Sequence, residues 1–282
     1  MGHRGPQAVT TRHTLSQDRE LDDRVYSALV AASLQDIGYV YVLDLDRMLC
    51  GSYRAAADIY PASVIKVAVM AEAYHQYATG AIEPDQPVVV SGANQTTTAE
   101  PSPLVPGYRA TVQELVELMI SRSDNIATNQ LLDVVRRENV TAYMHELGLP
   151  TFLMGRKVSG SEPLIVDAET VGRNRLPPEE IGWLLALIAL DMVPGAADQR
   201  AILERCVHNE KLVPGLLPGD RFMHKTGETD EQSHDAGILA TVHGRSFVTV
   251  LYTTPEPLPD RSDARHIDPL LTLWMRGLRA SL

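Results

Sequence analysis

Apolar residues first fall into a helical rhythm between Arg19 and Ser33, where Leu21, Val25 and Leu29 share one face. Two strand-like runs follow, Gly38 to Leu45 and Met48 to Tyr53, and the Asp46-Arg47 pair between them predicts a hairpin. From residue 60 to residue 212 the pattern is mainly helical. Pro61 suits the start of a helix running to His75, with Gly80 as its stop. Thr111-x-x-Glu114 is a capping box that opens a short helix through Ile120, and the next helix runs roughly from Ile126 to Val135. Asn139 caps a helix that Gly148 ends, and Pro177 starts a long apolar helix through Met192. Strands return at Gly237–Val242 and Ser246–Thr253, joined through His243-Gly244-Arg245. A last helix, about Asp268 to Leu282, turns Leu270, Leu271, Trp274 and Leu278 inward.

Strands at both ends with helices between them predict an α/β plus all-α fold, an antiparallel sheet flanked by helices with an inserted all-α lobe. The α/β lobe takes about 19–58 and 213–282, the all-α lobe about 59–212, and residues 1–18 form a polar tail. The cleft between two such lobes is a usual place for a small-molecule site.

Composition narrows the function. At 282 residues the chain can bury a large core, and 44% hydrophobic with 22% charged residues is ordinary for a globular enzyme. A net charge of −11 sets it against nucleic acid and anionic membranes, which repel such a surface. The expected partner is a small-molecule substrate, and a monomer is expected. No apolar run of 18 residues occurs, so no membrane span is expected. Residues 1–20 lack the apolar core of a secretory signal. The chain therefore reads as cytoplasmic if its N-terminus is native, and otherwise as the mature form of a secreted or periplasmic protein. Cys50 and Cys206 have neither metal-ligand spacing nor the look of a disulfide framework, and read as buried small hydrophobes. Nine histidines without an H-E-x-x-H or an i,i+4 pair give no metal site. No G-x-S-x-G elbow, P-loop or G-x-G-x-x-G fingerprint is present, and no cofactor is expected.

Three short motifs carry chemistry: Ser63-Val64-Ile65-Lys66, Ser123-Asp124-Asn125 and Lys225-Thr226-Gly227. An S-x-x-K alone is expected on the order of once per chain of this size, but all three in this order are not a chance pattern. A serine hydroxyl must lose its proton as it attacks, and a lysine three residues on lies on the same helical face. Burial and neighbouring cations would lower the Lys66 pKa and let it take that proton. Free backbone N–H groups in the first turn around Ser63 favour a developing oxyanion. Ser123, in a turn between two helices, can relay a proton to a leaving nitrogen, and Asn125 can hold a substrate amide; both are also good helix caps. Lys225 and Thr226 on an edge strand would grip a substrate carboxylate, and Gly227 would let the substrate approach the backbone closely. A surface turn beside a strand is the plainer reading of that third motif.

With these motifs the chain resembles the class A β-lactamase-like serine hydrolases, within the penicillin-recognising acyl-transferases, over roughly residues 20–280. The separations, 60 residues from Ser63 to Ser123 and 102 from Ser123 to Lys225, are those the family's β-lactamase/transpeptidase-like architecture requires. The resemblance implies Ser63 as acylated nucleophile, Lys66 as its proton acceptor and Ser123 as proton shuttle. Asn125, Lys225, Thr226 and Gly227 would bind substrate, and the backbone N–H groups of Ser63 and Glu228 would form the oxyanion hole. It also implies β-lactam hydrolysis, with a role in antibiotic resistance. The alternatives are a related acyl-enzyme hydrolase or transferase on a D-alanyl peptide, ester or amide, and a sensor that stays acylated. One family feature is missing: class A enzymes carry Glu-x-x-Leu-Asn in an omega-shaped loop, where the glutamate activates the deacylating water. Between Arg156 and Asn174 the nearest fit is Glu162-Pro163, with Glu169 as a rival, and Arg156 and Asn174 could pin the neck of that loop. Arg265 reads as a surface arginine or a contact to a substrate carboxylate.

Overall fold

A computed structural model describes residues 15–158, 173–256 and 264–282. Its centre is a sheet in which β2 (Gly38–Asp44) and β8 (Ser246–Thr253) are inner strands buried along nearly their whole length. Alternation along β2 explains why. Val40 and Val42 point to one apolar cluster, with Leu29 and Trp274, while Tyr41 and Leu43 point to another, with Val248 and Val250. Both faces are covered, so the strands read as apolar runs.

The sheet order is β1 (Ser16–Gln17), β3 (Leu49–Tyr53), β2, β8, β7 (Ser233–Ala240) and β6 (Arg221–Glu228). All pairs are antiparallel except β1 with β3. On one face lie α1 (Arg19–Ala31) and the last helix, α8 (Asp268–Ser281), whose inward residues are Leu271, Trp274, Met275 and Leu278. Leu270 is only half-buried, and Met275 takes the inward place beside Trp274. Against the other face runs α6 (Pro178–Ala189), buried on nearly all sides and apolar beyond its first turn because it lies between the sheet and the helical body. Its Gly182 permits that approach: a Cβ there would stand 2.2 Å from the Tyr41 ring.

The helical body surrounds α2 (Lys66–Thr79), buried from Lys66 to Tyr74 and ended by Gly80 in the left-handed conformation. Around it pack α3 (Val112–Ser121), α4 (Asn125–Val135) and α5 (Arg137–Glu146), and α7 (Ala196–Leu203) returns the chain towards the sheet. A two-stranded ribbon, β4 (Pro87–Val89) with β5 (Arg109–Thr111), was not expected within this mainly helical stretch. The architecture is the expected antiparallel sheet flanked by helices with an inserted helical body. No helix among the described residues is long and apolar enough to cross a membrane.

Several local expectations shift. Thr111 caps α3 through Glu114 N–H, but the Glu114 carboxylate accepts from Tyr108 instead of returning to Thr111. Asn139 does not cap α5; it lies inside the helix and donates to the Val135 carbonyl at the end of α4. The first helix stops at Ala31 and α6 at Ala189, each two or three residues early, and Ser33 and Asp191 just beyond have positive φ. Strand β7 begins four residues before Gly237, because its first half carries polar residues buried for reasons given below.

Candidate active site

The three motifs converge. Ser63 lies in a single 3-10 turn, Ala62–Ile65, that runs directly into α2 at Lys66, so residues three apart are nearly eclipsed. Ala62 enters the turn at φ 47°, a left-handed conformation that a non-glycine residue holds only when its surroundings enforce it. Two neighbours do so. His234 of β7 lies 2.9 Å from the Tyr60 carbonyl through Nε2, while its Nδ1 accepts from Thr253 N–H at 3.1 Å. These bonds fix the tautomer with the proton on Nε2, and burial pushes the ring down to about 4, so it stays neutral. Gly227 supplies the other constraint. A Cβ there would stand 2.9 Å from the Pro61 carbonyl, 3.0 Å from Val64 Cγ2 and 3.1 Å from Ala62 Cβ. The absence of a side chain at Gly227 therefore lets β6 close on the Ser63 turn, where substrate approach was the expected reason.

Lys66 is fully buried. Its Nζ lies 2.7 Å from the Ser123 carbonyl, 2.7 Å from Asn125 Oδ1 and 3.2 Å from Ser123 Oγ. Burial, with Lys225 nearby, drives its pKa well below the usual lysine range, against the pull of Asp124. Nζ donates to all three of these oxygens, so the amine is held against Ser123 and Asn125 of the second motif. Ser63 is half-buried, and its hydroxyl is not among the partners of Lys66.

Ser123 sits between α3 and α4 at φ 56°. Asp124, the middle residue of the motif, is the helix cap, accepting from Ala127 N–H at 2.8 Å. The capping reading is thus met by the middle residue of the tripeptide, while Ser123 and Asn125 turn towards Lys66. Asn125 points its oxygen at Lys66 and donates one N–H to the Thr97 carbonyl at 2.8 Å, which leaves its second N–H for a ligand.

Lys225 and Thr226 lie on β6, an edge strand as expected, paired with Ala236 and Asp235 of β7. Lys225 is fully buried, and burial with Lys211 nearby brings it down to about 8, against the pull of Cys206 and Asp235. Its Nζ is bonded to the Thr226 carbonyl at 2.8 Å. Behind it, His224 Nδ1 meets Asp235 Oδ1 at 2.7 Å and Nε2 meets Asn209 Oδ1 at 3.1 Å. Burial opposes a charge on His224, yet Asp235 overrides it and raises the ring to about 10. This buried ion pair had no signal in the sequence beyond the polar residues flanking the motif. Glu228 closes β6 with its carboxylate between Lys211 and Arg265. Arg265 is largely exposed, and the two cysteines are free and buried.

Glu162 and Glu169 lie outside the described residues. The neck of their loop is pinned as expected, though through the Arg156 backbone: Asn174 Oδ1 accepts from Arg156 N–H at 2.8 Å, and Asn174 Nδ2 donates to the Arg156 carbonyl at 3.1 Å. A bridge between Leu153 and Arg175 reinforces it.

Comparison with known proteins agrees with the fold. The chain is similar in structure to PBP-A, with a TM-score of 0.78, 20% identity, and 95% of this chain and 97% of that one covered. A β-lactamase from Sphaerobacter thermophilus gives 0.79 at 21% identity, covering 92% and 97%. A β-lactamase from Chitinophaga pinensis gives 0.77 at 18% identity, covering 92% and 99%. No curated protein matches the sequence at a significant level. The family model described as the beta-lactamase enzyme family matches residues 22–268, nearly the whole chain. With the fold and the family model in agreement, the chain belongs to the beta-lactamase enzyme family.

Proposed function

We propose that this protein is a serine hydrolase of class A type that opens β-lactams through an acyl-enzyme on Ser63. The observation that carries the reading is the buried Lys66 amine held between Ser123 and Asn125 beside the Ser63 turn. In the first step the Ser63 hydroxyl attacks the lactam carbonyl and its proton passes to neutral Lys66. The oxyanion is stabilised by the backbone N–H groups of Ser63 and Glu228. As the carbon–nitrogen bond breaks, Ser123 protonates the leaving nitrogen and is reprotonated by Lys66 across their 3.2 Å contact. Asn125 orients the substrate through its free N–H, while Lys225 and Thr226 hold the substrate carboxylate. Water then cleaves the ester, with Glu162 or Glu169 as the base that activates it.

A second reading has specific support. The missing Glu-x-x-Leu-Asn would slow the last step, as suits a transpeptidase or peptidase on D-alanyl peptides or a sensor that stays acylated. PBP-A, a structural neighbour, has been solved as a mutant acyl-enzyme with penicillin G. One experiment separates the two: incubation with a chromogenic cephalosporin while intact mass is followed. Continuous colour with little adduct supports the hydrolase. One equivalent of colour with a stable adduct supports the second reading, and no adduct with no colour contradicts both.

A further inference from the structure

Glu228 follows the Lys225-Thr226-Gly227 motif directly, and its carboxylate, 35% exposed, spans two cations. Oε2 lies 3.2 Å from Lys211 Nζ, and Oε1 lies 3.3 Å from Arg265 Nε. Lys211 is buried beneath it, bonded also to Ser233 Oγ and, at 3.3 Å, to Asp268 Oδ1. Arg265 stands at the surface, 59% exposed. A third carboxylate, Glu210, gathers with those of Glu228 and Asp268, one oxygen of each lying within 4.8 Å of the others.

The balance of charge beside Lys225 follows. Lys211 and Arg265 would extend the positive field of Lys225 along the end of β6. Glu228, Asp268 and Glu210 outnumber these two cations, so this flank of the site is net negative. Glu228 is the one of the three on the motif strand itself. In the reading above its own N–H faces the reacting carbonyl, so at low salt its side chain acts well inside the ~30 Å over which charges interact at about 0.01 M.

Resting on the acyl-enzyme reading, we propose that the Glu228 side chain determines specificity by charge. It favours acyl donors that carry an ammonium or a neutral group beside the reacting carbonyl, and it disfavours those with a second carboxylate there.

Three penicillins with one nucleus test this: ampicillin, benzylpenicillin and carbenicillin bear an ammonium, a hydrogen and a carboxylate on the same side-chain carbon. Acylation rates are measured by intact mass at low salt for the wild type, Glu228→Gln and Arg265→Gln, each checked by thermal melting. The wild type acylates with ampicillin faster than with carbenicillin, on the order of tenfold as expected for one charge pair at this range in a partly solvated site. Glu228→Gln shrinks that ratio roughly threefold or more, mainly by speeding carbenicillin. Arg265→Gln widens it by removing an exposed cation from this flank, and Glu228→Ala takes the place of Glu228→Gln should that variant not fold. Adducts that form with an unchanged ratio in the folded variants overturn the role of Glu228 and leave the acyl-enzyme reading intact. No adduct with any penicillin in any of the three proteins overturns the acyl-enzyme reading, and the charge preference with it.

Discussion

Gly227→Ala probes the contact that fixes the Ser63 turn. The added Cβ would meet the Pro61 carbonyl at 2.9 Å, Val64 Cγ2 at 3.0 Å and Ala62 Cβ at 3.1 Å, where ordinary contact begins near 3.4 Å. None of these atoms is the far end of a flexible side chain, and Ala62 already sits at positive φ, so the turn must retreat as a body by about 0.3–0.5 Å. Overpacking of this kind costs about 1–3 kcal/mol. For a chain of this size each kcal/mol lowers Tm by about 2–4 °C, so a loss of about 2–12 °C is expected. Since a 1 Å misplacement costs about a hundredfold in rate, acylation should fall roughly four- to tenfold. Melting curves and stopped-flow acylation with a chromogenic cephalosporin measure both effects. Gly92→Ala serves as control, because its nearest neighbours, two Pro106 atoms, lie 4.0 Å away. A Gly227→Ala protein that melts and acylates like the wild type would refute the claim that β6 holds the Ser63 turn.

Other expectations follow from the same geometry. Lys66→Arg keeps a cation but cannot give up its proton near neutral pH, so acylation should fall roughly 10²–10⁴-fold; a wild-type rate would remove Lys66 as the base. Lys225 at about 8 loses its charge as pH rises through that value, so KM for an anionic β-lactam should climb above pH 8, which a KM–pH profile reads directly. The two buried histidines give opposite stability slopes. His234, lowered to about 4, contributes stability that is present above pH 6.5 and lost as pH falls towards 4. His224, raised to about 10, contributes stability that is present below pH 6.5 and lost as pH rises through 10. Melts from pH 4 to 10 of the wild type, His234→Gln and His224→Gln should show each slope flattened in its own variant. Glu162→Gln should acylate normally and then stall, giving a burst of one equivalent, whereas Glu169→Gln should turn over; the reverse outcome moves the base to Glu169.

What the sequence made legible was whatever a local period or a local cap encodes. Leu21, Val25 and Leu29 marked α1, the Asp46-Arg47 turn marked the β2–β3 hairpin, and Thr111 marked α3, because each depends on neighbours within a few residues. The three motifs were legible as residue types, and the structure brings the second to Lys66 and the third, through Gly227, against the Ser63 turn. Strand β7 was half missed because Ser233, His234 and Asp235 are polar yet buried, their partners being Lys211, Tyr60 and His224, each far along the chain or on another strand. Asn139 misled for a related reason: an asparagine near a helix boundary can cap either helix, and only the fold shows that it serves Val135. Gly227 looked like room for a substrate, whereas the close approach comes from a turn more than 160 residues earlier.

The central claim is that Ser63 forms the acyl-enzyme, served by Lys66. Intact-mass measurement of wild type and Ser63→Ala after exposure to penicillin, with peptide mapping of any adduct, tests it most directly. The account predicts one adduct on the wild type, mapped to Ser63, and none on a Ser63→Ala protein that melts like the wild type. An adduct on folded Ser63→Ala, or a wild-type adduct mapped to another residue, would contradict it.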